Sequence, residues 1–174
     1  LSDSVNHSFP RNGGYSELPK VLEMLRYLKG RDLVDAVALH MHLNRNQWSP
    51  MPTEEEFQRA LEAYKELGVR AYITEMDVSL YDYPPNEKER FLLQARVYKN
   101  FIRLYLESGI GGKTPIVSFW GLRDNESWLE TWGDEKNPNA DPLLFDDLGK
   151  PKLSYYAILS LLYEFANRGE RLTP

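Results

Sequence analysis

Apolar residues recur along this chain in two alternating rhythms. In "SELPKVLEMLRYLKG" Leu18, Val21, Leu22, Leu25 and Leu28 fall at helical spacing, and Gly30 is placed to end the helix. "LVDAVALHMHL" then reads as a strand and runs into a polar, Pro-containing loop, "NRNQWSPMP". A second helix is predicted over "TEEEFQRALEAYKELG": Thr53 and Glu56 have capping-box spacing, and Phe57, Ala60, Leu61 and Tyr64 make the apolar stripe. "VRAYITEMDV" is the next strand, "NEKERFLLQARVYKNFIRLYLES" a third helix stopping near Gly109, and "TPIVSFWGL" a third strand. After a long polar loop, "LSYYAILSLLYEFA" supplies the last helix.

Helix and strand alternate, and the short apolar strands lack two-faced alternation in sequence. That pattern predicts a parallel sheet buried under helices on at least one face. The unexpected residues all lie at the C-terminal ends of the strands: His40 and His42, Glu75 and Asp77, Trp120 and Asp124. In a β/α barrel that end carries the active site. A doubly wound open sheet also binds ligands there, but it brings a Gly-rich phosphate loop after a strand. Here "GGK" at 111–113 precedes its strand instead.

Composition narrows the function classes. The 174 residues suffice for one domain with a sizeable core. A net charge of -5 argues against nucleic acid or an anionic membrane as partner, since both call for a basic patch. No apolar run approaches membrane-spanning length, and the N-terminus shows no export-signal order. Zero cysteines exclude disulfides, thiolate metal sites and cysteine nucleophiles. An aromatic content of 13% favours a site lined with flat apolar faces.

Residues two apart on a strand share a face, so Glu75 and Asp77 point the same way, as do His40 and His42. Taken singly, each has an ordinary explanation. A carboxylate at a strand end is usually solvated, and a histidine pair is usually satisfied by loop carbonyls. Convergence changes the balance: neighbouring parallel strands bring two imidazoles, two carboxylates and a tryptophan to one rim.

Four stretches in order, "VDAVALHMHL", "YITEMDV", "FWGLRDNESW" and "PLLFDDLGKPKLSYYAI", resemble the last strands of a family 10 glycoside hydrolase, the endo-β-1,4-xylanase family. The resemblance covers most of residues 34 to 160. "LSDSVN" is similar to the end of that family's fifth strand. It implies an α/β fold, the C-terminal half of a TIM (β/α)8 barrel with parallel strands. Residues 1–174 would then be one unit, running from about the fifth or sixth barrel strand to the eighth.

The resemblance also implies roles. Glu75 in "ITEMD" sits at the catalytic nucleophile of a retaining mechanism, whose partner carboxyl lies about 5 to 5.5 Å away. His42 matches the histidine that holds that carboxylate. Asp77 matches the aspartate two residues on, which either orders the histidine network or is structural. Trp120 and Trp128 match tryptophans that wall the sugar subsite, where a pyranose face packs on indole. Without the family, Trp120 would be read as core and Trp128 as either core or wall. His40 stands where the family usually has Gln, adding a group able to change charge and placed to touch substrate. Ala36 and Ala38 replace two family glycines, and Arg123 replaces a small or hydroxyl residue.

One family element has no match: the Trp-x-Val-x-Asn-Glu motif that carries the general acid/base. "DNES" at 124–127 contains Asn-Glu, but in the loop after the last strand. Bond cleavage needs both carboxyls, so this chain alone is expected to be inactive or nearly so, unless His40 or Glu126 serves as the acid. Opening on "LSDSVN", it reads as a piece of a longer product. A half barrel needs a complementing N-terminal half or self-association to cover its edges. A second copy would not restore the acid.

Three functions follow. The first is endo-xylanase acting on xylan or xylo-oligosaccharide, with no cofactor and no metal. The second is a non-catalytic xylan-binding or scaffold piece. The third is a metal-dependent hydrolase using His40 and His42, for which only His7 remains as a third imidazole. The polymeric substrate implies secretion.

Overall fold

The computed structural model describes residues 2–4, 18–43, 51–80, 87–131 and 139–167. Among these, helices and strands alternate: β1 (Ser2–Ser4), α1 (Leu18–Lys29), β2 (Ala36–Leu43), α2 (Glu54–Glu66), β3 (Arg70–Val78), α3 (Glu87–Ser108) and β4 (Val117–Phe119). A 3-10 turn (Asp124–Glu126), the short α4 (Trp128–Thr131) and α5 (Leu153–Asn167) complete the set. The strands form one sheet in the order β1-β2-β3-β4, and every pairing is parallel. The ring of a barrel is not closed among the described residues. The loop "NRNQWSPMP" falls largely outside them.

Local chemistry explains the element boundaries. At the start of α2 the Thr53 hydroxyl accepts the Glu56 N–H at 3.1 Å, while the Glu56 carboxylate accepts the Thr53 N–H at 2.8 Å. Two donors that the first turn leaves unpaired are thereby satisfied. α3 ends where Gly109 takes a left-handed φ of 67°. β4 is shorter than the run "TPIVSFWGL" predicts. Pro115 has no N–H to give, and the Ile116 N–H is taken by the Tyr105 hydroxyl at 3.2 Å. Beyond the strand, Gly121 turns the chain at φ 141°, where a Cβ would meet Leu143 at 2.7 Å.

The sheet buries one face against the helices. Along β2 burial alternates: Val37, Leu39, Met41 and Leu43 are buried, while Ala36, Ala38, His40 and His42 are half-buried. The strand reads as apolar on both sides, yet only the helix side is covered by described residues. Phe57 and Tyr64 of α2, and Tyr98, Phe101 and Tyr105 of α3, fill the space beneath. Each such fully buried aliphatic or aromatic side chain contributes about 1.5 to 3 kcal/mol.

β3 breaks the alternation. Leu39 pairs with Ile73 but His40 pairs with Glu75, so Thr74 is an extra residue with no counterpart on β2. The other neighbour agrees: Ile73 pairs with Val117 and Met76 with Phe119, three residues against two. This β-bulge splits the strand into two phases. Ala71 and Ile73 face the helices below it, and Met76 and Val78 face them above it, all four fully buried. Strict alternation would have carried Glu75 to the helix side beside Ile73. The bulge turns it, with Asp77, to the face that bears His40 and His42.

A second device shapes the rim. The segment around 140–142 lies along the end of β3, with the Val78 N–H donating to Pro142 O at 3.1 Å and the Leu80 N–H to Ala140 O at 2.7 Å. One face of α3 grips it from below. Arg90 donates to Asn139 O, Gln94 to both Val78 O and Asp141 O, and Tyr98 to Pro142 O. These donors recur every four residues, the spacing that aligns side chains along one helical stripe.

Candidate active site

Glu75 stands at the centre of the rim, held through both carboxylate oxygens. Oε1 lies 3.2 Å from His40 Nε2, and Oε2 lies 3.1 Å from His42 Nε2. The far nitrogen of the same ring, His42 Nδ1, lies 2.9 Å from Asp77 Oδ2. Asp77 is fully buried, and its Oδ2 also accepts the Trp128 indole N–H at 2.9 Å. A continuous path therefore runs His40–Glu75–His42–Asp77–Trp128, across two strands and the loop after β4.

The His42 ring faces a carboxylate at each nitrogen. A neutral imidazole has one N–H and can donate to only one of them; imidazolium donates to both. Burial opposes the charged ring, but the hydrogen bond and charge of Asp77, followed by those of Glu75, outweigh it and raise the pKa above the ordinary 6.5.

Both tryptophans are at this rim and neither is core. Trp120 is 47% exposed and Trp128 39%. Their rings meet His42 edge-on, with centroids 6.2 and 5.4 Å from it. The structure thus brings together His40, His42, Glu75, Asp77, Trp120 and Trp128, with exposed indole beside the His42 ring.

Asp124, grouped with the rim residues by its place in the sequence, belongs elsewhere. It is 1% exposed and accepts from Lys152 Nζ at 2.8 and 3.1 Å and from the Leu143 N–H at 2.7 Å. Burial pushes its carboxyl up to about 6 in spite of Lys152, and burial likewise lowers the Lys152 ammonium. The pair anchors the segment leading into α5.

Glu126 is poorly suited to serve as an acid. It is ion-paired with Arg123, which holds its carboxyl below the ordinary range, whereas a general acid needs a raised pKa. The metal reading gains no ligand set: among the described residues no group of three or more His, Asp or Glu is arranged to hold an ion. His7 lies outside those residues.

Sequence reasoning missed two features. The Thr74 bulge decides which way Glu75 faces. Glu130 and Asp141 form a contact behind Trp128, with the Asp141 N–H donating to Glu130 Oε1 at 2.9 Å. No local signal marks either one.

Known proteins resemble this chain in sequence and fold. Residues 11–161 match the pattern of Glycosyl hydrolase family 10. An endo-1,4-beta-xylanase of Geobacillus stearothermophilus is 27% identical over 167 residues, covering 91% of this chain and 47% of the relative. Among solved structures, native xylanase 10B from Thermotoga maritima matches with a TM-score of 0.76 at 26% identity, over 97% of this chain and 47% of that one. Xylanase 10B from Thermotoga petrophila RKU-1, solved in complex with xylobiose, matches at 0.73 and 25% identity, over 94% and 46%. The chain spans about half the length of these relatives. Four parallel strands with their helices, in an open sheet, are part of a TIM barrel. The chain belongs to glycosyl hydrolase family 10.

Proposed function

We propose that this chain carries the nucleophile half of a retaining endo-1,4-β-xylanase site, as the C-terminal half of the barrel. The observation that carries the reading is Glu75, clamped at both oxygens between His40 and His42, with two exposed indoles against the His42 ring. In this reading Glu75 attacks the anomeric carbon. The glycosidic C–O bond breaks as a second carboxylic acid protonates the leaving oxygen, and a glycosyl ester remains. Water then attacks the same carbon, gives its proton to that second group, and releases Glu75. His42 holds the carboxylate, Asp77 orients His42, and Trp120 and Trp128 wall the sugar.

The second carboxyl comes from an N-terminal half that docks on this one. β4 ends the described sheet, and beside it lies an apolar groove of roughly 460 Å³ lined by residues including Ile102, Leu106, Val117, Phe119, Ile158 and Phe165. α5 turns Leu159, Leu162 and Tyr163 outward next to it. Such a contiguous apolar surface marks a protein interface. Xylan as the substrate follows from the names of the relatives and from the xylobiose held by the Thermotoga petrophila enzyme. A polymeric substrate places the working enzyme outside the cell. Among the described residues no helix is long and apolar enough to cross a membrane.

The test is reducing-sugar release from xylan by the chain alone, by the chain mixed with an N-terminal half from a family 10 enzyme, and by the same mixture carrying Glu75→Gln. Turnover is expected only in the second. Release by the chain alone would overturn the half-site reading, and release by the Glu75→Gln mixture the nucleophile assignment. Xylo-oligosaccharide binding without turnover in the mixture would favour a binding or scaffold piece.

A further inference from the structure

The turn that carries Trp128 is tied down from behind as well as in front. In front, its indole donates to Asp77. Behind, Glu130, two residues on in the same short helix, accepts the Asp141 N–H at 2.9 Å. That contact ties the short helix bearing Trp128 to the segment that enters α5. The far end of the contact is rigidly held. The Asp141 carboxylate takes Arg90 at 2.6 Å, its carbonyl takes Lys152 Nζ at 2.7 Å and Gln94, and its φ is 38°, a left-handed value that Asp adopts more readily than most non-glycine residues.

We propose that Glu130 is a positioning residue of the cleft: its carboxyl clamps the Trp128 turn onto Asp141 and so holds the indole wall. Among the described residues, the charged groups around it are Asp124 from the 3-10 turn, Asp141 and Asp147 from the segment before α5, and Lys152 at the entrance to α5, with Arg90 of α3 on Asp141. Burial raises the Glu130 carboxyl to about 7, and the three aspartates add to this against the opposing Asp141 N–H. The folded arrangement therefore binds this proton more tightly than an exposed glutamate does. Protonation favours the folded arrangement as a whole and that contribution is lost as pH rises through about 7, while the Asp141 N–H itself bonds the ionised carboxylate more strongly. The clamp stands on geometry; its bearing on sugar rests on the reading of Trp128 as a subsite wall.

The experiment uses the whole chain labelled with 15N, with no substrate and no turnover. The Asp141 amide proton reports on the carboxyl it donates to, and the Trp128 indole proton reports on the wall. In the wild type the Asp141 amide shift is expected to titrate with a midpoint near 7, to do so again in His42→Asn, and to be flat in Glu130→Gln. The Trp128 indole proton is expected to exchange faster in Glu130→Ala than in the wild type, with Glu130→Gln, which keeps an acceptor oxygen, in between. An Asp141 titration that survives Glu130→Gln would overturn the proposal. So would Trp128 exchange that is the same in all three proteins. Neither readout depends on the nucleophile assignment, so failure there is distinguishable from failure of the xylanase reading.

Discussion

Trp128 and His42 meet on a single atom: the indole Nε1 and the imidazole Nδ1 both lie 2.9 Å from Asp77 Oδ2. The exposed indole and the ring that holds Glu75 are thus positioned by the same buried oxygen. Asp77 has no exposure through which water could replace either bond.

Asp77→Ala is expected to destabilise the chain by about 1 to 3 kcal/mol, because it removes the acceptor from two partly buried donors at once. Urea unfolding would show the midpoint fall with the slope unchanged. A midpoint within error of the wild type would mean that both donors find other acceptors.

Stability should fall as pH rises across neutrality. The raised pKa of His42 means that its charged form is favoured by folding; this stabilisation is complete below the unfolded value of 6.5 and disappears as pH passes the folded one. Glu130 and Asp124 act in the same direction, since carboxyls raised to about 7 and about 6 are each penalised once ionised. Urea midpoints between pH 5 and 8.5 would trace the decline, and His42→Asn should flatten its upper part.

Lys152→Met would leave the Asp124 carboxyl buried without its cation, at a cost of about 3 to 5 kcal/mol. Lys152→Met with Asp124→Leu should recover most of that loss, because no charge is then left buried. A double variant as unstable as the single one would show that hydrogen bonds to Asp141 O and the Leu143 N–H outweigh charge burial.

Deletion of Thr74 tests the bulge. Without the extra residue, either Glu75 and Asp77 turn into the helix layer or Met76 and Val78 turn out of it, and neither arrangement is expected to fold cooperatively. Thr74→Val keeps the residue count and loses only the long 3.4 Å hydroxyl contact to Leu39 O, so it should cost under about 1 kcal/mol. Near-ultraviolet circular dichroism would separate the two. A cooperative native signal from the deletion would sink this account of the strand.

Much of this was visible in the sequence, for identifiable reasons. The capping box at Thr53 and the stripe Phe57, Ala60, Leu61, Tyr64 are local patterns, and local geometry enforces them. The polar ends of β2 and β3 stood out because a period of two places His40 with His42, and Glu75 with Asp77. The side on which they emerge was not visible, because nothing in Ala71 to Glu75 marks one residue as supernumerary. Asp124 looked like a rim residue because it follows β4 closely. Its partner Lys152 lies 28 positions away, a distance that only the tertiary fold closes. Glu130 and Asp141 meet for the same reason.

The grip of α3 on the rim has a consequence for variation. Arg90, Gln94 and Tyr98 take hold of Asn139, Asp141 and Pro142 by their carbonyl oxygens, and every amino acid supplies a carbonyl. Side chains on much of that segment can therefore be exchanged without releasing it from the helix. Mutational drift there can redecorate the rim while its contour is inherited unchanged, so new surface chemistry can be sampled on a mount that need not be rebuilt.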